Sequence, residues 1–135
     1  MNKILGYVAV GSAIGGVCRL LMTAFVQERI GTTFPLGTLL VNITGSFALG
    51  FIIKYALATP AVSPEVRALL TTGFCGGFTT FSAFSLQTLE LARFGRWLEA
   101  SGNVVLSVVL CLVAVWIGHA LADLMSGPNP ASGTE

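Results

Sequence analysis

With 54% hydrophobic residues and only 10% Asp, Glu, Lys and Arg in 135 residues, and a mean hydropathy of +0.84, the chain cannot surface a soluble fold, which normally carries about 25% charged residues. Seven Lys and Arg against six Asp and Glu leave a formal charge of +1, which excludes a basic footprint for nucleic acid and an acidic interaction tail. Cys18, Cys75 and Cys111 lie in apolar runs without CxxC or Cys/His spacing, so neither a disulfide framework nor a zinc site is expected.

Crossing the roughly 30 Å hydrocarbon core takes about 20 apolar residues, and four stretches qualify, about 4–26, 36–58, 67–91 and 100–125. They predict an all-α integral membrane domain over 1–126, with a flexible Pro/Gly/Ser-rich tail at 127–135. The first stretch is too long for a signal-peptide core and contains Arg19, so it is expected to be retained. Two readings stand for Arg19, whose helix has no acidic residue to neutralise it. Its head reaches the interface, or it lies in an aqueous vestibule and concentrates anions.

In the second span Thr38, Asn42 and Ser46 are four apart and share one helical face. A mid-span Asn either ties helices together through its amide or offers the amide N–H to an anion as a neutral donor. Gly37, Gly45 and Gly50 suit close helix packing, and Lys54 and Asp123, near the ends of the second and fourth spans, read as interfacial anchors.

The third span is unusual. Gly76 and Gly77, followed by Thr79 and Thr80, weaken a helix, and a break at bilayer depth is tolerated only where the freed backbone is buried in protein or lines a cavity. Either the helix continues with glycine-mediated packing, or it breaks and its carbonyls, facing those of a symmetry mate, coordinate a hard monovalent cation. Phe81 and Phe84 lie three apart, with Phe74 and Phe78 extending the stripe. Such a stripe is either core or a row of rings whose positive edges meet a partly dehydrated anion. The fourth span adds Asn103, Ser107 and Cys111 at four-residue steps, and His119 stands alone as a structural residue.

Four spans place Lys3, Lys54 and Arg67 on one side and Arg29, Arg93 and Arg96 on the other, three against three. With no bias in the Lys and Arg that normally set orientation, either counts this small carry no signal or the chain inserts both ways and forms an antiparallel homodimer, which is the expectation taken forward. No internal repeat is visible, so symmetry has to come from a second copy. Amide, hydroxyl and aromatic-edge donors all favour anions, and no carboxylate lies in the middle of a span. No nucleophile and base are paired, so enzyme chemistry is not expected.

Three blocks carry a resemblance: Gly15-Gly16-Val17-Cys18-Arg19, Thr33-Phe34-Pro35 with Gly37-Thr38-Leu39-Leu40-Val41-Asn42, and the specific run Gly73-Phe74-Cys75-Gly76-Gly77-Phe78-Thr79-Thr80-Phe81-Ser82-Ala83-Phe84. Over all four spans the chain resembles the Fluc-type (CrcB) fluoride channels. That resemblance implies an antiparallel, dual-topology homodimer in the cell membrane, with two fluoride pathways that export fluoride passively and protect the cell from its toxicity. It implies Asn42 as the pore amide, Phe81 and Phe84 as the rings that contact fluoride, and Ser107 as a hydroxyl of the fourth-span track. Thr80 and Ser82 are hydroxyls of the same motif, and Thr38 and Asn103 complete the expected polar lining. Arg19 matches the family's first-span Arg. Main-chain oxygens of Gly76 and Thr79 are implied ligands of a structural Na⁺ on the dimer axis. The fourth span departs from the pattern at Asn103 and Cys111, where members often carry Tyr and Ser. Two classes compete: a small dual-topology multidrug exporter, which calls for a membrane carboxylate, and a non-transporting assembly protein whose polar residues only join helices.

Overall fold

The computed structural model describes residues 1–59 and 61–126, and every regular element among them is helical. In order these are α1 (Asn2–Ile30), α2 (Leu36–Ala58), α3 (Pro64–Ala68), a π-helical stretch (Leu69–Cys75), α4 (Gly76–Phe78), α5 (Phe81–Arg93) and α6 (Trp97–Ser126). The expected tail at 127–135 lies outside the described residues.

Helices α1, α2 and α6 are each long and apolar enough to cross a membrane. At 1.5 Å per residue their 29, 23 and 30 residues extend about 43, 35 and 45 Å, beyond the hydrocarbon core. The expected third span is not one helix. Ser63 caps α3 by accepting the Val66 N–H at 3.3 Å, the chain widens into the π-helical stretch, and the helix is interrupted after Phe78. The break falls at Thr79 and Thr80 rather than at the glycine pair, because Gly76 keeps helical angles (φ −65°, ψ −37°). Gly77 serves packing instead: a Cβ there would lie 2.5 Å from the Ser12 carbonyl of α1.

Neighbouring residues give the helix directions. Gly50 meets Val115, Gly118 meets Phe47 and Phe51, and Lys54 Nζ lies 2.7 Å from Asp123 Oδ1, so positions advance together and α2 runs parallel to α6. Val8 lies against Gly73, Ser12 against Gly77 and Gly15 against Phe78, so α1 runs parallel to the interrupted segment. Thr23 near the end of α1 meets Gly37 at the start of α2, which makes those two antiparallel. Missing side chains at these glycines let backbones touch, the usual way helices associate where lipid removes the hydrophobic drive.

The inside is built from small side chains. Val41, Cys75 and Asn103 are the largest that are fully buried, whereas Leu112, Trp116 and Leu124 face outward, an arrangement suited to lipid rather than water. The α5–α6 turn closes through Gly95 (φ 74°), a conformation that costs glycine nothing, and Arg96 Nε donates to Glu99 Oε1 at 2.7 Å. Two expected anchors prove to be partners, since Lys54 and Asp123 form an ion pair. His119 is not alone either, with Nδ1 3.5 Å from Asp123 Oδ2 one turn away.

Candidate functional site

Between α4 and α5 the backbone is extended, with Thr79 at φ −80°, ψ 157° and Thr80 at φ −151°, ψ 120°. An extended residue inside a helical bundle has no ladder partner, so its polar groups need another. Asn42 supplies both: its Oδ1 accepts the Thr80 N–H at 2.8 Å and its Nδ2 donates to the Thr80 carbonyl at 3.0 Å. One side chain thus replaces a neighbouring strand. Of its two amide hydrogens, one stays uncommitted.

The Thr80 hydroxyl then starts α5 by accepting the Ala83 N–H at 3.2 Å, and it lies 3.2 Å from Ser82 Oγ. These bonds have a second effect. In a continuous α-helix the Thr80 and Ala83 amides would serve the carbonyls of Gly76 and Thr79; here they are taken by side chains. The two carbonyls expected to ligate Na⁺ are therefore released from helical bonding, on residues that are exposed (Gly76) and half-buried (Thr79). Such oxygens fit a hard monovalent cation. No cluster of His, Cys, Asp or Glu capable of holding a metal occurs among the described residues.

A cavity of about 360 Å³ opens beside the break, lined by Asn42, Thr80, Phe81, Phe84, Ser107 and Cys111 among others. The Phe81 and Phe84 rings lie 5.3 Å apart at 46°. The break divides the expected aromatic stripe, for Phe74 and Phe78 form a separate stacked pair at 5.7 Å. Phe84 is buried at 9% exposure, while Phe81 is 80% exposed and projects from the chain. Ser107 is buried, and its Oγ has no hydrogen-bond partner among the described residues.

On the other side of Thr80 lies a second cavity of about 400 Å³, lined by Arg19, Thr23, Thr38, Thr80 and Gln87. No carboxylate lies within ion-pair distance of Arg19 among the described residues. A third cavity, lined by Gln27, Gln87, Glu90 and Arg96, adjoins the α5–α6 turn. Thr80 is shared by the first two and Gln87 by the last two, so the three form a series from the α5–α6 end of the molecule to the break.

Asn42, Thr80, Phe81, Phe84 and Ser107 are brought together at one cavity, and Thr38 and Arg19 at the next. Ser82 is exposed and touches the group only through Thr80. Asn103 lies elsewhere, at 2% exposure in the α5–α6 seam, where Nδ2 donates to Thr88 Oγ1 at 2.8 Å. The Thr88 hydroxyl in turn donates to the Phe84 carbonyl at 2.7 Å, so Asn103 supports the helix that carries the rings. Sequence reasoning missed Gln87, whose Oε1 is buried without a partner among the described residues. The signal was available, an uncharged polar residue inside an expected span three positions after Phe84.

A family model described as "CrcB-like protein, Camphor Resistance (CrcB)" matches residues 6–119. The chain belongs to this CrcB family. Among its relatives are a "Fluoride-specific ion channel FluC" of Methylocella silvestris, 49% identical over 86% of this chain and 90% of that protein, and one of Opitutus terrae with the same name, 52% identical over 86% and 89%. A third so named, from Geotalea uraniireducens, is 46% identical over 93% of this chain and its entire own length. As a CrcB protein the chain is a multi-pass membrane protein and not an enzyme.

Proposed function

We propose that the chain is a fluoride-selective channel that lets fluoride leave the cytoplasm down its electrochemical gradient and so protects the cell from fluoride toxicity. The observation that carries the reading is the interrupted helix beside the cavity of Asn42, Phe81, Phe84 and Ser107, in a chain whose CrcB relatives are named fluoride-specific channels.

The break sets two helix ends at bilayer depth. The start of α5 borders the cavity through Thr80 and Phe81, and the positive end of its dipole favours an anion nearby. The end of α4 presents carbonyls, which favour a cation, so Gly76 and Thr79 oxygens are the ligands proposed for a structural Na⁺. Two carbonyls do not complete a coordination shell, and a second copy related by a two-fold axis in the membrane plane supplies the same pair again. An antiparallel homodimer with two pathways satisfies this and the even distribution of Lys and Arg, and it gives the projecting Phe81 ring a protein neighbour. The parallel course of α2 and α6 requires the intervening segment to return across the bilayer, which supports four crossings.

In this mechanism Arg19 raises the anion concentration in the second cavity, and Thr38 and Thr80 replace water as the ion advances. The free Asn42 N–H and the Ser107 hydroxyl then donate, while the edges of Phe81 and Phe84 hold the ion without leaving an unsatisfied donor when it departs. Chloride, being larger, fits this spacing poorly. The test is anion efflux from liposomes holding the purified protein, with a potassium ionophore to balance charge. Fluoride efflux without chloride efflux is expected; equal rates, or none from folded protein, would overturn the reading, and the latter would favour the assembly-protein class.

A further inference from the structure

The outermost of the three cavities carries charge of the opposite sign to the next. It measures about 430 Å³ and is lined by Gln27, Thr33, Gln87, Glu90, Phe94 and Arg96 among others. It lies where α1 ends and α5 turns into α6, so an ion arriving at that end meets it before the cavity of Arg19. Arg96 alone would draw anions in, but its Nε donates to Glu99 Oε1 at 2.7 Å and a second guanidinium nitrogen donates to Glu99 Oε2. Such a two-pronged pair cancels the charge in place. Glu90 has no such partner: it is exposed, and no Lys, Arg or His nitrogen lies within ion-pair distance of it among the described residues. Arg93, three positions on, and Arg29, which lies over the Phe25 ring at 5.2 Å, do not line the cavity. The uncompensated charge on this wall is therefore negative, whereas in the next cavity it is the positive charge of Arg19.

We propose that Glu90 is a charge-selecting residue at the entrance to the Arg19 cavity, which thins out anions according to their charge and so keeps multiply charged anions off Arg19. The proposal rests on the fluoride-channel reading, since it concerns which ions reach that pathway. Two unit charges about 7 Å apart in water interact by about RT. A monovalent anion approaching that near is depleted about threefold and a divalent one about sevenfold, because the charge enters the exponent. Fluoride loses some rate. Sulfate and hydrogen phosphate, whose oxygens match the guanidinium fork of an unpaired Arg, are held back more strongly, and Arg96 does not offset this because Glu99 holds it.

The experiment measures fluoride efflux from liposomes holding the full-length protein or its Glu90→Gln variant, with Glu90→Asp as the control that keeps the charge. Ionic strength is varied from about 10 mM, where the screening length is about 30 Å, to about 1 M, where it is about 3 Å. Size-exclusion elution checks that each variant is folded. At the low end Glu90→Gln should carry fluoride about two- to threefold faster than the unmutated protein, Glu90→Asp should match the unmutated protein, and the gain should vanish at the high end. Sulfate added at constant low ionic strength should halve the efflux of Glu90→Gln at a severalfold lower concentration than the unmutated protein requires. An unchanged or lower rate in Glu90→Gln, a gain that persists at high salt, or equal sensitivity to sulfate would overturn the proposal while leaving the channel reading in place. Absence of fluoride efflux from the folded, unmutated protein would remove the channel reading and this proposal with it.

Discussion

Asn42→Ala removes the side chain that satisfies both backbone groups of Thr80, at 2.8 and 3.0 Å. Each buried backbone group left without a partner costs about 1–3 kcal/mol, so the variant should lose about 2–6 kcal/mol. Measured side-chain hydrogen bonds between membrane helices average only about 0.6 kcal/mol, because the separated helices also find partners. That average does not transfer simply, since here the orphaned groups belong to an interrupted backbone with no helical alternative nearby. Against a typical stability of about 5–15 kcal/mol the variant should still fold and assemble, with its melting temperature lowered by about 10 °C or more. Fluoride efflux should vanish, because a donor at the cavity is lost and the break that forms the start of α5 is released. The assay pairs thermal unfolding in detergent with liposome efflux on the same preparation. A variant with wild-type melting and wild-type efflux would refute the reasoning, and one that melts normally but does not conduct would show that Asn42 contacts the ion without holding the break.

Phe81→Ile leaves every Asn42–Thr80 bond intact, so efflux should fall below detection while size-exclusion elution and melting stay near wild type. Ser107→Ala deletes a hydroxyl that has no partner among the described residues; fluoride efflux should drop severalfold with no loss of melting temperature, whereas a large destabilisation would reveal a packing role. Arg19→Gln should slow efflux at low ionic strength, and the difference should shrink as salt rises toward 1 M, where the screening length falls to about 3 Å; a salt-independent defect would mean that Arg19 does not act by attracting anions. Gly118→Leu places a side chain against the Phe47 carbonyl of α2, so folded protein recovered by size exclusion should fall sharply, and a normal elution profile would contradict the close α2–α6 approach.

The membrane class and the three uninterrupted helices were legible because apolar length is a local property of the sequence. The break was legible as a weakness but not as a position. Glycines draw the eye to Gly76 and Gly77, yet Gly77 is small because Ser12 of α1 lies against it, and the chain opens at the two Thr residues that a distant Asn can satisfy. That bond joins residues 38 apart in sequence, which no periodicity reveals. The π-helical stretch was not foreseen as such: Thr71, Thr72 and Gly73 mark a weak helix, but composition does not tell a widened helix from a broken one. Thr38, Asn42 and Ser46 do share a face, but Thr80 stands between Thr38 and the other two and divides them between cavities. On α6 the four-residue line Asn103, Ser107, Cys111 splits for a similar reason: Thr88 of α5 captures Asn103, and only the other two reach the cavity.

The most direct measurement of the central claim is the reversal potential of the purified protein in a planar bilayer with fluoride on one side, chloride on the other, and pH varied independently. A passive fluoride-selective pathway predicts that a tenfold change in fluoride concentration shifts the reversal potential by about 59 mV, with no response to a pH gradient. A reversal potential that follows chloride as readily as fluoride, or one that moves with the proton gradient, would contradict it.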